Sequence, residues 1–241
     1  MNMNELEKSI AEKRTAAVPV ANTFLSGVFG WMFLALSITA VTSWLFASNQ
    51  QLLALLYNAQ GGMTLLGWIV LLAPIGFVIW MSAGYQRMAA STMALVFIVY
   101  SILLGMSLSF IFLVYTGASI ATTFLVAAGM FGVMAVTGYT TKTDLTKFGS
   151  LLIMGVIGLF IAMVVNMFMR SSGMDYIISF LGVLIFTGLT AYDVQKLKRI
   201  GSGAVAGTEN TRKMTIMGAL ALYLDFINLF LFLLRFFGNR R

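Results

Sequence analysis

The chain has 241 residues, of which 60% are hydrophobic and only 10% are charged, and its net charge is +7. A soluble domain carries about 25% charged residues, so a water-soluble fold of this size would leave too much apolar surface exposed. A β-barrel is excluded too, because its strands alternate apolar and polar residues over about ten positions. The apolar runs here are unbroken and about 20 residues long, which predicts an all-α integral membrane protein.

Seven segments are apolar enough and long enough to cross a hydrocarbon core of about 30 Å as helices. In chain order they are residues 21–47, 63–83, 88–115, 118–139, 148–169, 174–195 and 216–237. They predict a seven-transmembrane-helix bundle over residues 21–241. Residues 1–20 are charged, and we expect them to form a short, solvated cytoplasmic helix rather than a signal peptide. Residues 50–58 are mildly apolar and are expected to lie along the membrane interface.

Basic residues divide unequally between the two ends of this bundle. The side that holds the N-terminus carries 11 of them: Lys8, Lys13, Arg14, Arg87, Lys142, Lys147, Lys196, Lys198, Arg199, Arg212 and Lys213. The other side carries four: Arg170, Arg235, Arg240 and Arg241. The positive-inside rule therefore predicts a cytoplasmic N-terminus and an external C-terminus in a bacterial inner membrane. It also explains the net positive charge without a nucleic-acid partner.

The chain contains neither cysteine nor histidine. It therefore has no disulfide, no thiolate nucleophile and no histidine to act as a metal ligand or as a proton shuttle near neutral pH. Any response to pH must come from carboxyl groups. We expect no resident cofactor and no small-molecule substrate.

Small residues recur at helical spacing in several spans. The pairs are Gly27 and Gly30, Ala128 and Gly132, and Gly158 and Ala162. Such pairs allow two helix backbones to approach closely, so they predict helix–helix contacts.

Two carboxyl groups stand out because they lie within predicted spans. Asp193 ends the sixth span and Asp225 lies inside the seventh, whereas Asp175 is expected to be solvated near Arg170 at the outer end. A carboxylate in mid-membrane costs about 2.5–3.5 kcal/mol on insertion scales, so such residues usually face the bundle interior and have a function. Asp193 and Asp225 are therefore candidate functional residues.

The faces of the last two spans indicate that these carboxyl groups meet. Asp193 shares a helical face with Gly182, Phe186 and Thr190, and Asp225 shares one with Gly218, Ala221 and Asn228. Tyr192 and Tyr223 flank the two acids as possible hydrogen-bond donors. Two carboxyl groups in contact in a low dielectric should keep one proton between them. Once both are ionised they should repel each other or recruit a cation, and their oxygens suit Ca²⁺.

Simpler arrangements of the two acids remain open at this point. Asp193 could be an interfacial residue that pairs with Lys196 one turn further on. Asp225 could be satisfied by Asn228, a threonine or a tyrosine hydroxyl.

The stretches TAYDVQKLK at 190–198 and LYLDFINLFLFLLRFFG at 222–238, with GMFGVMAVTGYTTKTDL at 129–145, closely resemble the Bax inhibitor-1 family, bacterial branch. The resemblance implies seven helices with the last at the centre. It also implies a di-aspartyl pH sensor, matching Asp193 and Asp225, and a passive, pH-sensitive Ca²⁺ leak. In some members a basic residue at the cytoplasmic end of the second span locks the closed state, which only Arg87 could match. The carboxylate that some members carry within the second span is absent from residues 63–83.

Three further function classes can be compared with the same sequence. Bacterial relatives are known as modulators of a membrane-anchored ATP-dependent protease. In that case the charged N-terminal segment would be the part that binds the protease. Tyr192-Asp193 evokes intramembrane aspartyl proteases, but Asp225 follows Leu222-Tyr223-Leu224 rather than that class's Gly-x-Gly-Asp motif. A retinal photoreceptor needs a lysine deep in the last span, and span seven has none after Lys213. We therefore expect no enzymatic activity.

Overall fold

The computed structural model describes residues 3–58 and 62–240, with side chains from Ala21 onward. Its helices are α1 (Met3–Ser48), α2 (Gln50–Leu56), α3 (Leu65–Gly84), α4 (Ala90–Leu108), α5 (Ile111–Val114), α6 (Gly117–Thr140), α7 (Thr146–Met169), α8 (Ser172–Ser202) and α9 (Glu209–Phe237). In α1 the helix begins at Met3, so the N-terminal segment is continuous with the first span.

Seven helical stretches within the described ranges are long and apolar enough to cross a membrane. They coincide with the seven predicted spans to within a few residues at most ends, which confirms the fold class. The third span, Ala90–Val114, includes both α4 and α5. It is interrupted at Ser109, whose hydroxyl donates to the carbonyl of Met106 at 2.7 Å.

The helices α8 and α9 are longer than predicted, and both extensions lie at the same end. Helix α8 continues to Ser202, and α9 already begins at Glu209, where the Thr208 hydroxyl accepts a hydrogen bond from the amide of Thr211. The loop between the two helices is thereby reduced to residues 203–208. The basic residues near this loop lie on the added turns of α8 and α9, beyond their apolar runs. There a charged side chain does not have to be buried in the hydrocarbon core. We call this end of the bundle, with the loops 85–89, 141–145 and 203–208, the basic end.

Helix α9 is the centre of the bundle, as predicted. It packs against α8, α1, α6 and α4, whereas α7 packs mainly against α8. In its most apolar window, 72% of the residues are buried inside the protein, compared with 11% for α7. The two candidate acids are therefore carried by the most buried helix and by its main packing partner.

Glycines allow the closest approaches within the bundle. A Cβ atom at Gly182 would lie 2.5 Å from the Phe232 ring of α9, and one at Gly138 would lie 2.2 Å from the backbone oxygen of Ala191. Helix α8 can therefore lie directly against both α9 and α6.

The small-residue pairs predicted from sequence mostly do not mark these contacts. A Cβ at Gly30, Gly132 or Gly158 would meet nothing within 4 Å among the described atoms, and only Gly27 approaches a neighbour, the Thr215 methyl at 3.2 Å. The prediction was wrong for those three because spacing alone does not say which face of a helix meets another helix.

Candidate functional site

Asp193 of α8 and Asp225 of α9 meet inside the bundle, where their carboxyl groups lie close enough to interact directly. Asp225 is only 5% exposed. Its Oδ2 atom is buried and accepts no hydrogen bond from any amide, hydroxyl or basic group that the structure describes. A hydrogen bond between two carboxyl groups requires a proton on at least one of them, since carboxylates are acceptors only. A proton between the two acids would provide the partner that Asp225 Oδ2 lacks.

The acids meet because the two helices are offset along their axes. Sixteen residues separate Glu209 from Asp225, and nine separate Asp193 from Ser202. The difference of seven residues corresponds to about 10 Å at 1.5 Å per residue. The first turns of α9 therefore extend past the end of α8 at the basic end. This offset brings Asp225 level with Asp193, although Asp225 lies further from the end of its own helix.

A cavity of about 540 Å³ connects Asp193 to the basic end. It is lined by α3, α8 and α9 and by the turn after α3: Ser82, Ala83, Tyr85, Gln86, Asp193, Lys196, Leu197, Ile200, Met214, Met217, Gly218 and Ala221. Asp193 is among these residues and Asp225 is not, so Asp225 lies behind Asp193. We call this space the inner cavity.

Lys196 also lines the inner cavity but does not form the ion pair with Asp193 that was left open above. Its Nζ lies 5.8 Å from the centroid of the Tyr192 ring. The ion pairs found among the described side chains join Arg199 to Asp144 and Arg235 to Asp175. Asp193 therefore has Asp225 as a direct neighbour and the Lys196 ammonium as a nearby charge that is not within ion-pair distance.

The four polar residues expected to support the acids direct their groups elsewhere. The Thr190 hydroxyl donates to the carbonyl of Phe186 and the Asn228 amide donates to that of Leu224, each at 2.8 Å. Such bonds to a carbonyl one turn back are the usual solution for a polar side chain in a helix. Neither residue therefore satisfies Asp225 in this arrangement.

The two tyrosines do not serve the acids either, because successive helical residues are about 100° apart. Tyr192 faces α7, where a Cβ at Gly149 would lie 2.7 Å from its ring. Tyr223 points away from Asp225, toward α1 and α4. There its hydroxyl lies 2.6 Å from the Thr39 Oγ1, which donates to the carbonyl of Ser101 at 3.0 Å.

Arg87, considered above as a lock for the closed state, is exposed, and its side chain forms no ion pair or hydrogen bond with any described residue. Two other contacts join the α3–α4 turn to the start of α9. The Tyr85 hydroxyl donates to Asn210 Oδ1 at 3.1 Å, and the Ala90 amide donates to Glu209 Oε1. Sequence reasoning missed both, because nothing local shows that Glu209 caps the N-terminus of a different helix.

A second cavity, of about 400 Å³, lies at the opposite end of the same face of α9. Its lining includes Asn228 and Arg235. Arg235 pairs with Asp175 at 2.5 Å, and the Asn166 amide approaches the same carboxylate at 3.5 Å. Asp175 was expected to be solvated near Arg170, but the ion pair with α9 replaces that arrangement. We call this space the outer cavity.

The described residues contain no group of three or more acidic or other metal-binding side chains. A cation at the acid pair would therefore be held by the oxygens of Asp193 and Asp225 together with water. Ca²⁺ takes six to eight oxygen ligands, so this site could bind it only weakly and transiently.

Comparison with known proteins places this arrangement in a family. The model of the family described as "Inhibitor of apoptosis-promoting Bax1" matches residues 21–241. The chain is similar to "Inner membrane protein YbhL" of Escherichia coli K12, with 47% identity over 91% of this chain and 92% of the relative. It is also similar to uncharacterized proteins of Borreliella burgdorferi, with 46% identity over 92% and 94%, and of Deinococcus radiodurans, with 37% identity over 97% of both.

Proposed function

The chain belongs to the Bax inhibitor-1 family of multi-pass membrane proteins, and we propose that it is a pH-sensitive passive leak for cations such as Ca²⁺ in the bacterial inner membrane. Its N-terminus would lie in the cytoplasm and its C-terminus outside. The observation that carries the proposal is the Asp193–Asp225 pair, which is buried at the end of a cavity that reaches it from the basic end. No resident cofactor is needed.

In the closed state the two carboxyl groups share a proton and hold α8 against α9. Loss of that proton leaves two negative charges side by side. At an effective dielectric constant of about 20, two like charges about 4 Å apart repel each other by about 4 kcal/mol. Since about 1.4 kcal/mol changes an equilibrium tenfold, this repulsion is enough to separate the helices unless a cation enters between them.

The face of α9 that carries Asp225 gives the course of the leak. Gly218 and Ala221 of this face line the inner cavity, and Asn228 and Arg235 line the outer cavity. Asp225 lies between these two pairs along the helix, at the point where neither cavity continues. Separation of α8 from α9 at the acid pair would therefore join the two cavities, with the acid oxygens as transient ligands for the passing cation.

Ca²⁺ flux through the purified protein in liposomes tests this proposal. We expect flux to rise as the pH on the basic-end side is raised, and we expect Asp225→Asn to abolish this dependence. Asp144→Asn is the matched control, because it makes the same change at an exposed acid outside both cavities. An unchanged pH dependence in Asp225→Asn would remove the gating role from the pair. The absence of wild-type flux at every pH would reject the leak itself.

The alternative is a non-conducting regulator that binds a membrane-anchored ATP-dependent protease. It is favoured by the charged N-terminal segment, which is continuous with the first span in α1. Deletion of residues 1–14 should then alter proteolysis in cells without altering flux in liposomes. Unaltered proteolysis after this deletion would leave the regulator without its main support.

A non-enzymatic role fits the unequal access to the two acids. Aspartyl proteolysis needs water to reach both carboxyl groups, which act as general acid and base. Asp193 lines the inner cavity, whereas Asp225 is 5% exposed and lines neither cavity. This arrangement suits a proton-holding pair better than a catalytic one.

A further inference from the structure

A separate cavity of about 270 Å³ lies at the basic end, between α1 and the ends of α6 and α8. We call it the basic pocket. Its lining residues are Ala21, Asn22, Gly138, Tyr139, Thr141, Lys142, Gln195, Lys198, Arg199 and Ser202. Three of these are cations and none is a carboxylate. The segment 138–145, which the acid pair does not use, forms one wall.

Hydrogen-bond donors are in excess in the basic pocket, because its acceptors are already occupied. Asn22 Oδ1 accepts from the Tyr139 hydroxyl at 2.8 Å, and the Tyr139 carbonyl accepts from Lys198 Nζ at 2.7 Å. Gln195 Oε1 accepts from the Leu145 amide and from Arg199 Nη2. The side-chain amide oxygens in the wall thus already have donors of their own, and the Ser202 hydroxyl donates to the carbonyl of Arg199.

The donors, in contrast, are only partly used. An ammonium group carries three N–H donors and a guanidinium group carries five. Lys198 uses one of its three on Tyr139, and the bonds of Arg199 within the described residues all run through Nη2, to Asp144 and to Gln195. Lys142 is exposed and makes no bond there. With Asp144 as the one neighbouring carboxylate among the described side chains, the pocket retains a positive charge of about two from these residues. This excess of charge and donors fits an anion rich in acceptor oxygens.

The cations of α8 are held in place relative to the loop that faces them. The Gln195 side chain is 7% exposed, and its amide donates to the carbonyl of Thr143 at 2.8 Å while its oxygen accepts from the Leu145 amide at 2.8 Å. Gly138 brings the backbone of α6 against Ala191 of α8. The pocket is therefore preorganised, which lowers the entropic cost of binding.

The position of the pocket favours the phosphate group of a lipid over a free anion as its ligand. It lies where α6 ends and where the apolar run of α8 gives way to basic residues, which is where lipid headgroups are expected. Lys198 Nζ lies 4.3 Å from the centroid of the Tyr139 ring, and tyrosine is enriched at membrane interfaces. One to two turns further into the span, Val133 and Val136 of α6 are 65% and 62% exposed and offer an apolar surface for acyl chains.

We propose that the basic pocket binds the phosphate headgroup of an anionic phospholipid. Basic pockets between transmembrane helices are a recognised way of holding such headgroups. The phosphate oxygens would accept from Lys198 and from the free edge of the Arg199 guanidinium, with Lys142 above them. Because the pocket is separate from the acid pair, this inference does not depend on the leak.

Native mass spectrometry of the purified full-length protein tests the proposal, with phosphatidylglycerol and phosphatidylcholine as the probe lipids. We expect the wild type to retain one phosphatidylglycerol in preference to phosphatidylcholine. The double variant Lys198→Gln/Arg199→Gln should lose about tenfold in apparent affinity, because two charge-assisted hydrogen bonds are removed. Lys147→Gln is the matched control, since it removes an exposed cation at the same end but outside the pocket.

Two further measurements make the outcome decisive. The conservative variant Lys198→Arg should keep the preference, and the unfolding temperature without added lipid should show that every variant is folded. Equal retention of the two lipids by the wild type, or unchanged retention by the folded double variant, would overturn the proposal. Displacement of the lipid by millimolar inorganic phosphate would show that the pocket prefers the free ion, and would overturn the lipid assignment.

Discussion

Asp225 lies directly behind Asp193, so that the inner cavity reaches the first carboxyl group and stops before the second. A proton that leaves the pair can reach water only through Asp193. A cation that enters from the basic end meets Asp193 first. In the proposed function the order of the two acids would give them different tasks: Asp193 would exchange protons with the solution, and Asp225 would keep the shared proton within the bundle.

The close approach of α6 to α8 predicts a large effect of one methyl group. Gly138→Ala would place a Cβ 2.2 Å from the Ala191 backbone oxygen, and overpacking of this kind costs about 1–3 kcal/mol. The unfolding temperature in detergent should fall. Gly132→Ala, on the same helix, meets nothing within 4 Å and should be neutral or slightly stabilising. Equal effects of the two substitutions would show that the helices do not lie this close.

The hydroxyl of Tyr223 should contribute measurably to stability. It joins α9 to α1 and α4 through Thr39, in a region where both residues are buried. Tyr223→Phe removes one buried hydrogen bond and should lower the free energy of unfolding by about 1 kcal/mol. Tyr100→Phe is the control, because Tyr100 is equally buried beside Tyr223 and none of the described residues hydrogen-bonds its hydroxyl. If Tyr223→Phe lowered the free energy of unfolding no more than Tyr100→Phe does, the hydrogen bond between Tyr223 and Thr39 would not contribute to stability.

The contacts between the α3–α4 turn and α9 should restrain the closed state more than Arg87 does. Glu209→Ala combined with Tyr85→Phe removes both contacts and should raise Ca²⁺ flux at the pH where wild-type flux is lowest. Arg87→Ala should leave that flux unchanged, since the Arg87 side chain is exposed and has no described partner. If Arg87→Ala raised Ca²⁺ flux in liposomes and the Glu209→Ala/Tyr85→Phe variant did not, Arg87 would be the lock of the closed state.

Asp144 should make stability depend on pH at the acidic end of the range. Hydrogen bonds from Thr146 and from Arg199 hold the pKa of this exposed carboxyl well below its ordinary value of 3.8. A group whose pKa is lowered by folding stabilises the protein above its unfolded-state pKa and loses this effect as the pH falls. The gap in unfolding temperature between wild type and Asp144→Asn should therefore be constant near neutral pH and shrink below pH 3.8. A gap that widens on acidification would contradict this assignment.

The seven spans were predictable from sequence because hydrophobic runs of about 20 residues can hardly be mistaken. The meeting of Asp193 and Asp225 was also predictable, since each shares a helical face with small residues. The partners of the residues that flank the acids were not predicted. For Tyr223 helix geometry does give a signal, because a residue two positions from Asp225 lies about 200° around the helix and so faces away from it. The contacts of Gly138, Glu209 and Arg199 depend on which loops and helices become neighbours, and local sequence does not carry that information.

The proton held between Asp193 and Asp225 is the central claim, and infrared spectroscopy measures it most directly. A protonated carboxyl group has a C=O stretching band that is distinct from the bands of a carboxylate. At neutral pH the wild-type protein should show this band, Asp144→Asn should retain it, and Asp225→Asn should lose it. In the wild type the band should disappear over the same pH range in which Ca²⁺ flux rises. A wild-type spectrum at neutral pH in which every carboxyl group is ionised would contradict the account.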